Sequence, residues 1–255
     1  MGRKKEDIIK IHKEREELVV KSNELIRNTR YSLSEMQQKI VIYLISKICA
    51  QDTYIKHVKF SLSEYCDLIG IRRNNNREYK YIQNSIQDLR NKSWWFEFSD
   101  KSVLFSWVDY AEIDKNTGII DIVLSDSLKP FLLDIKGNFT KYELINILVL
   151  KSKYSIRLYE LFKSYLWLGK WEVDLDLFRE LVNVGEKYSD WTEFKRNVIT
   201  PSIKEITKYT DLEIKMEVRK QGREIKTLIF HITEKRGVQL TLDVLLNQEE
   251  RLSLK

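Results

Sequence analysis

The segment Phe60-Ser-Leu-Ser-Glu-Tyr-Cys-Asp-Leu-Ile-Gly-Ile71 aligns without gaps with Val173-Asp-Leu-Asp-Leu-Phe-Arg-Glu-Leu-Val-Asn-Val184. In both copies, an alternating stretch typical of the end of a strand is followed by apolar residues at helical spacing. Ser63 and Asp176 occupy equivalent positions, and we expect each of them to cap the helix that follows. The matched caps and apolar positions indicate duplication of one supersecondary unit.

The similarity between the two copies extends beyond this segment. Gly70 matches Asn183, and these two residue types best tolerate the left-handed conformation at a helix end. Ile86-Gln-Asp-Leu89 also aligns with Ile203-Lys-Glu-Ile206, near the end of the next helix. The pattern predicts helices at Ser34–Cys49 (with Ser34 as N-cap), Tyr79–Lys92, Tyr154–Leu168 and Asp190–Tyr209, and hairpins formed by Trp94–Phe98 with Val103–Ile113 and by Leu212–Arg219 with Ile225–Ile232.

Each copy therefore has the order helix, short strand, helix, helix, hairpin, which is the order of a winged-helix domain. The predicted fold class is α+β, with two tandem winged-helix domains related by internal duplication. Pro130 interrupts a short helix, and Gly137-Asn138 breaks the chain before the second copy. We expect a charged N-terminal arm at 1–30, a first winged-helix domain at 31–126, a linker at 127–138, a second winged-helix domain at 139–236 and a C-terminal tail at 237–255.

Composition excludes several classes of protein. The chain has 255 residues, 43% of them hydrophobic, so it can form extensive cores. The sequence contains no apolar run long enough for a membrane span and no secretory signal, so we expect a cytoplasmic protein. Cys49 and Cys66 lie in apolar segments and are expected to be reduced core thiols. The formal net charge is +6, so a nucleic-acid site depends on where the bases cluster.

A search for catalytic chemistry finds no enzyme motif. His12, His57 and His231 are far apart and lack metal-ligand spacing, and no phosphate-binding loop is present. Asp174 and Asp176 could be paired metal carboxylates, but capping of a helix by Asp176 is the preferred interpretation. We expect no catalytic residue, no metal site and no cofactor, and therefore a protein that is not an enzyme.

The polar faces of the third helices are the best candidates for contact with DNA. Each helix has an apolar stripe on one side, and Asn, Gln, Arg and Lys side chains on the other suit base edges and phosphates. A basic, Asn-rich turn precedes the first of these helices, and the second hairpin has a basic tip. The candidate DNA-binding residues are Arg72, Arg73, Arg77, Lys80, Asn84, Gln87, Lys195, Arg196, Asn197, Thr200, Lys204, Lys208, Lys220 and Arg223.

Each of these features has a simpler interpretation that stays open. The polar face of an amphipathic helix is usually just solvated, although two repeated cationic helices and a basic wing favour DNA. Trp94, Trp95 and Trp107 could stack on bases, but packing in the first domain or at a subunit interface is preferred. The C-terminal tail could form a short partner-binding helix or a frayed end.

Beyond the repeat, the sequence resembles the initiator Rep proteins of iteron-type theta-replicating plasmids. The similarity covers roughly residues 18–234 and is specific when its segments are taken together. The segments are Leu18-Val-Val-Lys-Ser-Asn-Glu-Leu-Ile26, Tyr31-Ser-Leu-Ser-Glu-Met-Gln-Gln-Lys-Ile40, Tyr154-Ser-Ile-Arg-Leu-Tyr-Glu-Leu-Phe162 and Trp191-Thr-Glu-Phe-Lys-Arg-Asn-Val-Ile-Thr-Pro-Ser-Ile-Lys-Glu-Ile206.

The resemblance implies a plasmid replication initiator with two winged-helix domains. Such proteins bind directly repeated double-stranded origin DNA (iterons), promote origin opening and recruit the host initiator and helicase. Many also form homodimers and repress their own promoter. The main iteron contacts would fall on Trp191–Tyr209.

Two other functions stay open at the level of sequence. A transcriptional repressor without a role in initiation would need the same DNA-binding helices. A protein-interaction module would use the winged helices to bind protein and would show no salt-dependent affinity for DNA. A nuclease is disfavoured because the sequence contains no metal-binding cluster.

Overall fold

A computed structural model of the chain describes residues 10, 13–49, 52–71, 76–98, 100–133, 135 and 137–235. Contacts divide the chain into two units. The first contains the stretch that ends at Ser22 together with Leu33–Leu148, and the second contains Asn23–Ser32 together with the stretch that begins at Val149. The chain therefore enters the second unit early, returns to the first, and then enters the second again.

The first part of the chain alternates helices with short strands. Its elements are β1 (Leu18–Ser22), α1 (Asn23–Asn28), α2 (Glu35–Ser46), β2 (Val58–Ser61), α3 (Leu62–Leu68), α4 (Asn76–Arg90), β3 (Ser93–Glu97), β4 (Ser102–Ser106), β5 (Val108–Ile113), β6 (Ile119–Leu124), a 3₁₀ turn (Asp126–Leu128), α5 (Lys129–Leu132), β7 (Phe139–Glu143) and α6 (Ile145–Leu148). Apart from α1, these elements belong to the first unit.

The rest of the chain forms the second unit with α1. Its elements are α7 (Lys153–Tyr165), a 3₁₀ turn (Leu166–Leu168), β8 (Lys170–Asp174), α8 (Leu175–Val182), α9 (Trp191–Phe194), a π-helical turn (Lys195–Ile199), α10 (Thr200–Tyr209), β9 (Leu212–Gln221) and β10 (Glu224–Glu234). The sheet order is β8-β10-β9, with all pairs antiparallel. Both units thus contain the predicted winged-helix elements, and the α+β class is confirmed.

In both units, the first helix of the helix pair is capped at equivalent positions of the repeat, but the caps lie two residues earlier than expected. Ser61 Oγ accepts the N–H of Glu64 at 3.0 Å, and Asp174 Oδ1 accepts the N–H of Asp176 at 2.8 Å. The prediction of Ser63 and Asp176 as caps is therefore wrong, because each helix begins directly after the last residue of its strand, without a loop, and that last residue is the cap. The new caps are still equivalent to each other in the repeat.

The ends of these two helices agree with the prediction. Gly70 has a φ of +73° and Asn183 a φ of +52°, so both lie in the left-handed region. Asn183 is the C-cap of α8, and its N–H bonds back to the carbonyls of the preceding turn. The cap of α2 is also confirmed, because Ser34 Oγ accepts the N–H of Gln37 at 3.3 Å.

The hairpin predicted as the first wing is an insertion. β3 and β4 form a separate two-stranded sheet, whereas β5 and β6 join β2 in the order β2-β6-β5. That order corresponds to β8-β10-β9 in the second unit, so β5–β6 is the first wing. The chain leaves the sheet of β4 at Trp107 and continues as β5 in the other sheet. Alternation of apolar residues does not show this change of sheet.

The expected arm and linker are parts of the units. Within 1–30, β1 pairs antiparallel with β7, and α1 buries Leu25 and Ile26 completely. Within 127–138, α5 buries Phe131 and contacts β1. The boundary between the units falls between Leu148 and Val149, since the strand pairing of β7 with β1 keeps the residues after 138 in the first unit.

The remaining expectations concern thiols, the membrane and the tail. Both cysteines are free; Cys66 is buried as expected, but Cys49 is exposed. In the part of the chain that the structure describes, no helix combines the length and apolar character that crossing a bilayer requires. The predicted C-terminal tail at 237–255 lies outside the described residues.

Candidate nucleic-acid interface

In the first unit, α4 is held by a buried stripe that leaves a polar row outside. Ile82, Ile86 and Leu89 are at most 3% exposed. At about 100° per residue, Lys80, Asn84 and Gln87 fall on the opposite side of the helix, and all three are exposed. Two of the three carry side-chain amides, which suit adenine edges in the major groove.

The other candidates of the first unit flank the start of α4. Arg77 lies in the first turn of the helix and is exposed. Arg72 and Arg73 lie outside the described residues. Among the described residues, neither Arg77 nor Lys80 forms an ion pair, so their charges are available to an anionic ligand.

The basic residues at the end of α4 serve the fold instead. Arg90 donates to the carbonyl of Val108 at 2.9 Å and to that of Asp109, which fastens the start of β5. Lys92 Nζ donates to Gln37 Oε1 at 2.8 Å, and burial lowers the pKa of this ammonium. The exposed candidate side chains of α4 therefore lie at its beginning and middle.

In the second unit, α9, the π-helical turn and α10 follow one another and together form the third helix. Asp190 Oδ1 caps it by accepting the N–H of Glu193 at 3.0 Å. Phe194, Val198 and Ile206 are fully buried. The helix predicted at Asp190–Tyr209 is thus confirmed, and it contains a π-helical turn at Lys195–Ile199, shortly before Pro201.

The exposed side of this helix is rich in unpaired positive charge. Its basic side chains are exposed to solvent, and in the described stretches none of them forms an ion pair. Asn197 is exposed between them, and Thr200 is half-buried. The four basic residues are Lys195, Arg196, Lys204 and Lys208.

Arg179 on α8 was not identified from the sequence, although it positions this helix. Its guanidinium donates to the carbonyls of Tyr188 and Ser189 at 2.7 and 3.0 Å and stacks over the Phe194 ring at 4.4 Å. One side chain therefore ties the turn between the helices to the first buried residue of the third helix. The sequence does not reveal this role, because the position of Arg179 in the helical pattern is the same as that of an arginine that only contacts solvent.

The wing of the second unit extends beyond its sheet. β8 covers only Thr227–His231 of β10, so the tip beyond it is a two-stranded ribbon. Gly222 has a φ of +65°, which permits the tight turn. Lys220 and Arg223 flank this turn, are exposed and form no ion pair within the described chain.

The other basic residues of this wing are neutralised. Arg219 Nη2 donates to Glu172 Oε2 at 3.3 Å, and the hydrogen bond from Arg219 holds the pKa of Glu172 below its usual value. Lys226 lies 3.3 Å from Glu224 Oε2, and Lys215 lies 3.9 Å from Glu213 Oε1. The available positive charge of the wing is thus concentrated at its tip.

The first wing is shorter and less basic. Its turn is closed by Asp114, whose Oδ1 accepts the N–H groups of Asn116 and Thr117 at 2.8 and 3.2 Å. Lys115 is exposed at the tip, but the carboxylates of Glu112 and Asp114 lie beside it in sequence. This wing offers an anionic backbone much less attraction than the second wing.

The tryptophans of the first unit mainly form its core. Trp94 is 8% exposed and lies 4.4 Å from the Trp107 ring, which is fully buried. Packing is therefore confirmed for these two residues. Trp95 is 63% exposed on the outer face of β3.

Comparison with known proteins identifies the family. The family model described as "Initiator Replication protein, WH1" matches residues 18–163, and "Initiator Rep protein, WH2" matches residues 174–232. These two matches together span most of the chain.

Curated relatives agree with the family models. An Escherichia coli "Replication initiation protein" is 28% identical over 246 residues, covering 91% of this chain and 75% of the relative. A Bifidobacterium longum "Probable replication protein rep" is 29% identical over 64% of this chain. The chain spans 56% of that relative and 47% of the Escherichia coli "PI protein", which is 28% identical.

A solved structure shows the same fold. The "Crystal structure of Pi initiator protein in complex with iteron DNA" matches with a TM-score of 0.73 and 18% identity, over 87% of this chain and 99% of that one. On the two family matches, the chain belongs to the initiator Rep protein family.

Proposed function

We propose that this initiator Rep protein binds directly repeated duplex DNA of its own origin and thereby starts replication. Its two third helices would enter major grooves, and its second wing would contact the backbone. The Pi initiator, which has the same fold, was crystallised with iteron DNA, and this supports the choice of ligand.

The observation that carries the proposal is the unpaired charge in the second unit. Four basic side chains of the third helix and two at the wing tip are exposed, and none forms an ion pair in the described part of the chain. Elsewhere on the same wing, basic residues pair with carboxylates. Selective neutralisation away from the helix and tip is what an anionic ligand site requires.

The wider function is proposed from the family. Once bound at the origin in the cytoplasm, the protein would promote opening of adjacent DNA and recruit the host initiator and helicase. It would act by binding, without a catalytic step, a metal or a cofactor. Homodimers would form in a second role, at an inverted repeat in its promoter.

The experiment is a titration against the DNA that flanks this protein's own gene, at several salt concentrations. We expect tight binding to a directly repeated segment and a large excess over random duplex. The affinity should also depend steeply on salt, because each neutralised phosphate releases counterions. Lys215→Ala is a control variant that should bind like the wild type. Its side chain is 79% exposed, but it lies at the end of β9 that is far from the wing tip.

Other results of this titration would favour a different function. Binding only to an inverted repeat would indicate a repressor instead of an initiator. Weak, salt-independent association with every duplex would contradict the DNA site and favour a protein-interaction module. If the direct repeat is bound, helicase loading at that site with purified host proteins tests the initiation step.

A further inference from the structure

The third helix of the second unit is not a continuous α-helix. The N–H of Thr200 donates to the carbonyl of Lys195, five residues earlier, and Lys195–Ile199 forms a π-helical turn. A turn with this bonding holds one more residue than an α-helical turn. Every side chain beyond it is therefore shifted around the helix axis.

Two pairs of buried side chains fit the shift that the turn introduces. Phe194 and Val198 are four residues apart, and so are Ser202 and Ile206; all four are buried. In a continuous α-helix, at about 100° per residue, the second pair would lie roughly 80° around the axis from the first. One extra residue shifts the second pair by about 100°, which leaves it about 20° from the first pair on the other side, so both pairs can face the same core.

Pro201 supports the same distortion. A proline has no N–H to donate to the carbonyl four residues earlier, here that of Asn197, and its ring crowds that carbonyl. The widened turn ends at Ile199, two residues before this proline. The apolar pattern and the proline thus act in the same direction.

The shift also rearranges the exposed cations. In a continuous α-helix, Lys204 and Lys208 would lie about 80° and 120° around the axis from Arg196. Arg196 lies inside the turn, so only part of the one-residue shift applies to it, and this part moves Lys204 and Lys208 towards the side of Arg196. The shift has the opposite effect on Asn197. This side chain would align with Lys204 in a continuous helix, and the turn moves the two apart.

We propose that the π-helical turn is a positioning device for DNA binding, which places Arg196 in one row with Lys204 and Lys208. The three cations then face the same DNA surface, and Asn197 is turned to the flank. This inference rests on the proposed DNA-binding function of the second unit. It makes the phase of the helix, and not only its composition, a determinant of affinity.

The test exchanges two neighbouring side chains. The double variant Arg196→Asn with Asn197→Arg keeps the composition and net charge of the chain, and it is compared with Arg196→Asn alone. Binding is measured on the gene-flanking DNA and on a short random-sequence duplex between about 50 and 200 mM salt. Thermal melting of each variant confirms that the fold is retained.

We expect the exchange variant to behave like Arg196→Asn. In both, the decrease in affinity across that salt range should shrink by about threefold, because one fewer phosphate is neutralised. An exchange variant that keeps wild-type affinity and salt dependence would overturn the inference, while the proposed function would stand. Salt-independent binding by the wild type itself would instead refute the DNA-binding function, and the inference with it.

Discussion

The two winged-helix units share their scaffold but expose different chemistry on the third helix. In the first unit, the outer row of α4 combines Lys80 with the amides of Asn84 and Gln87. In the second unit, the corresponding surface is formed mainly by Lys and Arg side chains without ion pairs among the described residues. Amides form directional bonds with base edges, whereas cations also attract the whole phosphate backbone.

The wings differ in the same sense. The second wing extends past its sheet and carries Lys220 and Arg223 at its tip, which form no ion pair in the described stretches. The first wing is closed by Asp114 and has only Lys115 at its turn. For the proposed DNA binding, we therefore expect the second unit to supply most of the affinity and the first unit to add discrimination between sequences.

The largest effect should come from the cationic row of the second unit. The double variant Arg196→Ala with Lys204→Ala should lose specific binding to the cognate repeat, because each good base contact contributes about 1–3 kcal/mol. The melting temperature should stay at the wild-type value, since neither side chain is buried. Fluorescence anisotropy and calorimetry measure the two quantities. Wild-type affinity in this variant would show that the wrong face was assigned.

A smaller and different effect is expected in the first unit. Gln87→Ala should reduce discrimination at one base pair by about 1–3 kcal/mol and leave the salt slope unchanged, because an amide carries no charge. Titrations against the cognate repeat and single-base variants separate the two effects. A change in salt slope, or equal weakening on every sequence, would contradict the proposed division between the units.

The wing tips provide the third comparison. Lys220→Ala with Arg223→Ala should weaken binding to all duplexes about equally and lower the salt slope by roughly two, one for each phosphate that is no longer neutralised. Lys115→Ala in the first wing should change the slope by much less. Equal salt slopes for the two wing variants would mean that both wings contact the DNA backbone. This result would contradict the expected difference between the wings.

The smallest effect concerns the caps that the two units share. Ser61→Ala and Asp174→Ala should each lower the free energy of unfolding by about 1 kcal/mol, because each leaves the N–H groups of a first helical turn without a partner. Urea denaturation measures the change. Ser63→Ala is the comparison variant and should have a smaller effect, since the helix begins before Ser63 and the hydroxyl of Ser63 only bonds to that of Ser61, at 3.0 Å. A larger destabilisation by Ser63→Ala would restore the cap position expected from sequence.

Local signals of the repeat were strong enough to predict the helix pairs. Gly70 and Asn183 marked the helix ends correctly because their φ angles depend on residue type. The caps were misplaced by two residues because each segment has two Ser or two Asp residues two positions apart, and only the observed start of the helix shows which of them is the cap. The exposed rows on both third helices likewise followed from helical spacing.

Features that depend on distant pairing were missed. β1 pairs with β7, more than a hundred positions along the chain, and no local pattern identifies such a partner. The inserted β3–β4 hairpin has the same alternation as a wing, so sheet order alone distinguishes them. Among the basic residues of the second wing that the structure describes, only the geometry separates the paired Arg219 from the unpaired Lys220.

The early crossing of the chain has a consequence for how these domains can be exchanged between relatives. Residues 23–32 belong to the second unit, where Arg157 donates to the carbonyl of Thr29 at 2.8 Å and Asn183 to that of Arg30 at 3.1 Å. A recombination joint after Leu148 would therefore separate the second unit from a piece of its own core. Functional chimeras should arise only when this N-terminal segment is inherited together with the C-terminal half, so the two halves are expected to co-evolve as interleaved modules.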